Sequence, residues 1–167
     1  NTVLDTGSQV FLDLKFHDIP NTVANVSQIV SRFGVTMFNV HALGGEKMME
    51  AAMKAIQACD KPPLLIAVTI LTSMGQQDID GIGLTGTPAE NVLRLASLAN
   101  QSGLDGVVCS PLEVAMLRQS QGPNFKLITP GIRPAGSQKG DQKRIMTPAD
   151  AVKAGSSYLV IGRPITA

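Results

Sequence analysis

The sequence predicts an α/β fold of the (β/α)8-barrel class, and three observations carry that expectation. Apolar runs of strand length alternate with amphipathic runs of helix length six times along 167 residues, the pattern of a parallel βα repeat. No hairpin signal such as Asn-Gly lies between the strand-like runs, so successive strands are joined by crossovers. Polar residues gather just after the strands at many positions: Asp13/Lys15/Asp18, His41, Thr72/Ser73, Ser110, Arg133 and Arg163. A barrel distributes its functional groups over many strand ends in this way, whereas a doubly wound sheet concentrates them at one crevice. Residues 1–167 are expected to form a single barrel domain.

Asn1 to Gln9, polar and broken by Gly7, lead into a first strand, Val10 to Leu14, whose apolar residues predict burial. Thr22 is expected to cap a helix running to about Phe33, with Val23, Val26, Val30 and Phe33 on one face and Gly34 just past its end. Thr36 to Val40 is the second strand, ending in His41. Gly44-Gly45 makes a loop, and Glu46 to Ala58 makes a helix with the stripe Met49, Ala52, Met53 and Ile56. Methionines at that spacing are core filler. Lys61-Pro62-Pro63 stops this element, and Leu64 to Leu71 is an almost unbroken apolar strand, as expected when both faces are covered.

Thr72 to Gly86 is expected to be a long loop, of the length that binding loops and lids have. Thr87-Pro88-Ala89-Glu90 then supplies a cap, a proline at the first helical position and a glutamate three residues after the cap, for a helix to about Gln101. Leu104 to Cys109 is a strand, and Ser110-Pro111-Leu112-Glu113 repeats the capping chemistry. Phe125 to Thr129 is a strand followed by a second long loop, Pro130 to Arg144, rich in Gly, Arg and Lys. Thr147-Pro148 opens a short helix ending at Gly155, and Tyr158 to Ile161 is the last strand, followed by Gly162-Arg163-Pro164.

The chemistry concentrates at two places. Asp13, Lys15 and Asp18 form an acid–base–acid cluster at the carboxyl end of the first strand, where parallel folds build sites. Side-chain alternation along a strand puts Asp13 and Lys15 on the same side. A structural ion pair is the competing account of them. The second place follows the late strands. Gly162 lets a backbone N–H approach an anion closely, Arg163 offers a charged fork, and the loop with Arg133, Gln142, Lys143 and Arg144 adds donors. The last two βα loops of such barrels commonly bind phosphate.

Other chemistries find less support. The net charge is +1, no Lys/Arg run is present, and there is one Tyr and no Trp, which argues against nucleic-acid binding. No apolar run spans a bilayer and no signal peptide opens the chain, so a cytoplasmic protein is expected. Cys59 and Cys109 lie far apart and read as small buried hydrophobes. His17 and His41 show no zinc spacing; His41 sits at a strand end, either at a site or as a hydrogen-bonded structural imidazole. A magnesium ion on Asp13 and Asp18 would have to tolerate Lys15 between them.

The run Asp13-Leu14-Lys15-Phe16-His17-Asp18-Ile19-Pro20-Asn21-Thr22 resembles the signature of the orotidine 5′-phosphate decarboxylase family, enzymes of UMP synthesis, and looks closest to its bacterial group. The resemblance extends in order through Asn39-Val-His-Ala, Ala67-Val-Thr-Ile-Leu-Thr72-Ser73, Gly106-Val-Val-Cys-Ser110, Thr129-Pro-Gly-Ile-Arg133-Pro, Asp141-Gln142 and Ile161-Gly162-Arg163-Pro. It implies a decarboxylase acting on orotidine 5′-phosphate without metal or organic cofactor. Lys15 would donate a proton to C6 after CO2 leaves, and Asp13 would sit against the departing carboxylate. Asp18, Ile19 and Thr22 would reach into the neighbouring subunit's site, implying a homodimer. Thr72 and Ser73 would lie by the pyrimidine. Arg133, Gln142, Gly162 and Arg163 would hold the phosphate.

Against that resemblance the sequence supplies six βα units of the eight, short of the ~250 residues usual for such a barrel. The amino-terminal two strands and the final helix are absent from it, and with them the family's further site Asp and Lys. The expectation is that the sequence is part of a longer, complete enzyme. Two alternatives stand beside the decarboxylase: a sister phosphosugar synthase or aldolase using magnesium, whose superfamily shares Asp-x-Lys-x-x-Asp but lacks Ile-Pro-Asn-Thr, and a catalytically incomplete fragment.

Overall fold

A computed structural model describes residues 3–134 and 144–166. The chain forms two compact units, a first up to Val68 and again over Leu98–Asp105, and a second over Thr69–Ser97 and from Gly106 onward.

In the first unit, strands β1 (Phe11–Phe16), β2 (Met37–His41) and β3 (Leu64–Val68) pair in parallel in sequence order. Helices α1 (Pro20–Val30) and α2 (Glu46–Gln57) are the crossovers, and they pack along one another. The core follows the predicted faces in part. Val26 and Met53 are only half-buried, and Phe33 lies past the end of α1 and is exposed. Met48, outside the expected stripe, is buried. Val23 and Val30 of α1 and Met48, Met49, Ala52 and Ile56 of α2 are buried, with Phe38, Val40, Leu65, Ile66 and Ala67 from the strands. Each large aliphatic buried this way contributes about 1.5–3 kcal/mol of transfer free energy.

Two expectations for this unit need correction. The first strand is not buried: Asp13, Leu14 and Lys15 are exposed. Among the described residues β1 pairs with β2 alone, so its other edge is not covered by a described strand. The helix cap is Ile19, not Thr22. Pro20 takes the first helical position, where its fixed φ suits the helix and its missing N–H costs nothing.

In the second unit, β4 (Gly106–Val108), β5 (Lys126–Thr129) and β6 (Tyr158–Leu159) are again parallel and in sequence order. The loop expected after β3 contains a short helix, α3 (Gln76–Gly81), which buries Ile79 and whose Asp78 carboxylate accepts the Gly75 N–H at 2.7 Å. Helix α4 (Pro88–Gln101), whose residues up to Ser97 belong to this unit, follows, and both capping boxes form. Glu90 Oε2 accepts the Thr87 N–H at 2.7 Å, and Glu113 Oε2 accepts the Ser110 N–H at 2.8 Å. The second box opens on a 3-10 turn, Pro111–Glu113, that runs into α5 (Val114–Gln121). Helix α6 (Pro148–Ala154) is capped by Thr147 and closed by Gly155 at φ 108°. A final turn of helix, α7, spans Arg163–Thr166. No described helix is long and apolar enough to cross a membrane.

Candidate active site

The charged cluster sits on an irregular stretch of β1. Leu12 pairs with Phe38 and Phe16 with Val40, so four residue steps on β1 face two on β2. A bulge of this kind bends the strand and re-aims its side chains. Lys15 lies inside it with φ 53°, the one described non-glycine residue at positive φ. A left-handed backbone at a residue with a Cβ costs about 1–3 kcal/mol. Asp13 and Lys15 do meet, with Lys15 Nζ donating to Asp13 Oδ2 at 2.6 Å. They meet within the irregular stretch of the strand.

Asn39, on β2, completes the cluster. Its Oδ1 accepts the Lys15 backbone N–H at 2.7 Å, and its Nδ2 donates to Asp13 Oδ1 at 2.6 Å. Asn39 is fully buried, whereas the side chains of Asp13 and Lys15 are 47% and 42% exposed. Asn39 is not among the residues to which the motif resemblance gives a role. The available signal was a carboxamide in the middle of an otherwise apolar strand, Met37-Phe38-Asn39-Val40.

The other predicted residues of this unit divide. Asp18 is not drawn into the pair. Its Oδ1 accepts the Ile19 N–H at 2.7 Å, closing its own turn at the start of α1. Ile19 is 67% exposed and Thr22 is exposed on the first turn of α1. Ile19 and Asp18 line an open recess of about 490 Å3 with His17, Pro20, Leu43 and Gly44. The His17 and His41 rings lie against each other, centroids 5.4 Å apart and tilted by 30°. Burial, then the neighbouring His17 and Lys15, push the His41 imidazole below its ordinary value, and Asp13 opposes them.

In the second unit Arg133, Gly162 and Arg163 line one recess of about 180 Å3, with Pro130, Gly131 and Val160. Arg133 is buried and its Nη1 donates to the Ile132 carbonyl at 2.9 Å. A Cβ built on Gly162 would meet no atom within 4 Å, which leaves its backbone open to approach. Ile132 and Met146 form an isolated parallel bridge beside Arg133. Gln142, predicted with this group, lies outside the described residues, as does Lys143. Arg144, grouped with the loop's donors, is committed elsewhere: it pairs with the Glu113 carboxylate and donates to the Ile70 and Leu71 carbonyls at 3.3 and 3.0 Å. Thr72 is buried and Ser73 exposed, both in the turn after β3.

Among the described residues no three His, Cys, Asp or Glu side chains gather as a metal-binding group. Burial raises the Cys109 thiol to about 12, so it stays protonated and unreactive.

Comparison with known proteins gives a consistent result. The family described as "Orotidine 5'-phosphate decarboxylase / HUMPS family" matches over residues 2–167. The chain is 63% identical over 164 residues to the orotidine 5′-phosphate decarboxylase of Hydrogenovibrio crunogenus, covering 98% of this chain and 70% of that one. It is 58% identical over 163 residues to the enzyme of the same name from Idiomarina loihiensis, covering 98% and 71%. The crystal structure of orotidine 5′-phosphate decarboxylase from Lactobacillus acidophilus superposes with a TM-score of 0.85 at 43% identity, over 98% of this chain and 70% of that one. The one from Thermotoga maritima superposes at 0.72 and 26% identity, over 99% and 71%. The expected barrel class holds, with six βα units in a chain that spans about 70% of these relatives' length.

Proposed function

The chain belongs to the orotidine 5′-phosphate decarboxylase / HUMPS family, and on that premise we propose that it converts orotidine 5′-phosphate to UMP and CO2 in pyrimidine biosynthesis, with Lys15 as the proton donor. One observation carries the assignment to Lys15. Its ammonium is paired with Asp13 while its backbone is held at φ 53°. An ion pair this exposed contributes about 0–1 kcal/mol, less than the backbone conformation costs. The pair is therefore a poor stabilising device, and strain of this kind collects where chemistry is done.

The reaction breaks the bond between C6 and the carboxylate, leaving the electron pair on C6 with no conjugated sink. The Lys15 ammonium stands where that charge develops and then supplies the proton that forms the C6–H bond, becoming the neutral amine. Asp13 crowds the substrate carboxylate and keeps Lys15 in place. Arg133, Gln142, Gly162 and Arg163 bind the phosphate, and binding energy from that remote group is spent at the reacting carbon. Thr72 and Ser73 contact the pyrimidine. Asp18, Ile19 and Thr22 serve the site of a second copy in a homodimer. The exposure of Ile19 and Thr22 on the outer start of α1 supports that role.

The test is loss of orotidine 5′-phosphate absorbance with recovery of UMP, run with and without EDTA. Turnover that survives EDTA is expected. No UMP formation overturns the proposal in favour of a catalytically incomplete fragment, and activity on phosphosugars abolished by EDTA overturns it in favour of the magnesium-using branch.

A further inference from the structure

This inference rests on the decarboxylase reading and deepens it at a residue that reading leaves out. Asn39 is fully buried in the middle of β2, flanked by Phe38 and Val40, which are also fully buried. A carboxamide in such a place is costly unless both of its ends are paired. Both are, and the two partners demand opposite polarity. The Lys15 backbone N–H needs an acceptor and finds Oδ1 at 2.7 Å. The Asp13 carboxylate needs a donor and finds Nδ2 at 2.6 Å. Asp13 Oδ2 in turn receives Lys15 Nζ at 2.6 Å, so the three residues close a ring of hydrogen bonds around the bulge of β1.

That ring holds Lys15 at both ends. The backbone is fixed in its left-handed conformation from the buried strand, and the ammonium is fixed by a carboxylate anchored to the same buried amide. Aspartate at position 39 would set carboxylate against carboxylate, and glutamine would push the amide outward by a methylene. Leucine would keep the shape and lose both bonds. We propose that Asn39 is a positioning residue, whose carboxamide sets the place from which the Lys15 ammonium delivers its proton. It touches no reacting atom and acts through Asp13 and Lys15.

The experiment compares the wild-type protein with Asn39→Leu and Asn39→Asp in three measurements: steady-state decarboxylation, UMP binding by calorimetry, and hydrogen exchange at the Lys15 amide by NMR. In Asn39→Leu, kcat is expected to fall about 10²-fold, the scale of an ångström-sized misplacement, with UMP affinity within about threefold of wild type. The Lys15 amide is expected to lose its exchange protection. In Asn39→Asp, the apposed carboxylates share a proton only at lower pH, so the pH–kcat profile is expected to move toward acid.

A folded Asn39→Leu protein with kcat within about threefold of wild type, or one whose UMP affinity falls in step with kcat, overturns the proposal. If Asn39→Leu does not fold, Asn39→Asp decides, and a pH profile parallel to the wild type's overturns it. A wild-type protein that makes no UMP sinks the decarboxylase reading alone. The amide exchange then still tests the clamp, and a Lys15 amide equally protected in all three proteins refutes it.

Discussion

Lys15 Nζ donates to Asp13 Oδ2 at 2.6 Å from a backbone held at φ 53°. The two residues thus form a contact made from a backbone held at an energetic cost and left partly open to solvent. A pair kept for chemistry has a distinct mutational signature. Lys15→Ala is expected to lower kcat by about 10³-fold or more, combining a lost general acid with lost charge stabilisation. UMP affinity, which draws on the phosphate contacts, should change far less. Because a partly exposed ion pair contributes only about 0–1 kcal/mol and alanine keeps the same left-handed backbone, thermal stability should hold or fall slightly. Retained turnover refutes the role given to Lys15.

Arg163 makes the complementary prediction at the other recess. It shares that recess with Arg133 and Gly162, and it is exposed, so its removal leaves the core intact. Arg163→Ala is expected to raise KM for orotidine 5′-phosphate by about 10- to 100-fold, the worth of a charge-assisted phosphate contact. Some loss in kcat should accompany it, since remote binding energy serves the reacting carbon. Orotidine lacking the phosphate should be turned over at the same poor rate by both proteins. An unchanged KM would remove Arg163 from the phosphate site.

The His17–His41 contact predicts a pH dependence of stability. His41 is pushed down chiefly by burial, then by His17 and Lys15, with Asp13 opposing. A lowered folded-state value means that the unfolded chain binds the proton more readily. The His41 contribution is therefore fully present above the ordinary value of 6.5 and is lost as pH falls from there through the folded-state value. Urea unfolding of the wild type across that window should show stability declining toward acid. His41→Gln should flatten that part of the curve. An identical slope in the variant would contradict the assignment.

What the sequence revealed tracks the range of the interactions involved. The capping boxes Thr87/Glu90 and Ser110/Glu113 are three-residue affairs, and both form as expected. The apolar stripe of α2 buries Met49, Ala52 and Ile56. Errors arose where a distant partner or a competing local preference decided the outcome. The bulge in β1 is hydrogen-bonded to Asn39, 24 residues from Lys15, a partner that strand periodicity does not reveal, so periodicity alone predicted a regular, buried strand. Thr22 looked like a cap, but Pro20 preorganises the turn before it. The single buried residue of α3, Ile79, is too little apolar signal to distinguish a short helix from a loop. Of the site, the acid–base–acid motif and the paired arginines were legible as residue types. The ring through Asn39 and the diversion of Arg144 to Glu113 were not.

That diversion supplies the last prediction. Glu113 and Arg144 are 31 residues apart in sequence, and their side chains are 5% and 13% exposed. Glu113 also accepts the Ser110 N–H, and Arg144 donates to two carbonyls just after β3. The pair therefore ties Arg144 to the start of α5 and to the segment after β3, all within one unit. Removing one partner leaves a buried charge uncompensated. Arg144→Met is expected to cost about 3–5 kcal/mol in urea unfolding. Glu113→Gln keeps an acceptor for Ser110 and should cost less. If the two side chains act as a pair, the double variant will be more stable than the sum of the single losses implies, by about 0.5–3 kcal/mol. Strict additivity would mean that Arg144 is held by the Ile70 and Leu71 carbonyls alone, with Glu113 serving only as a cap.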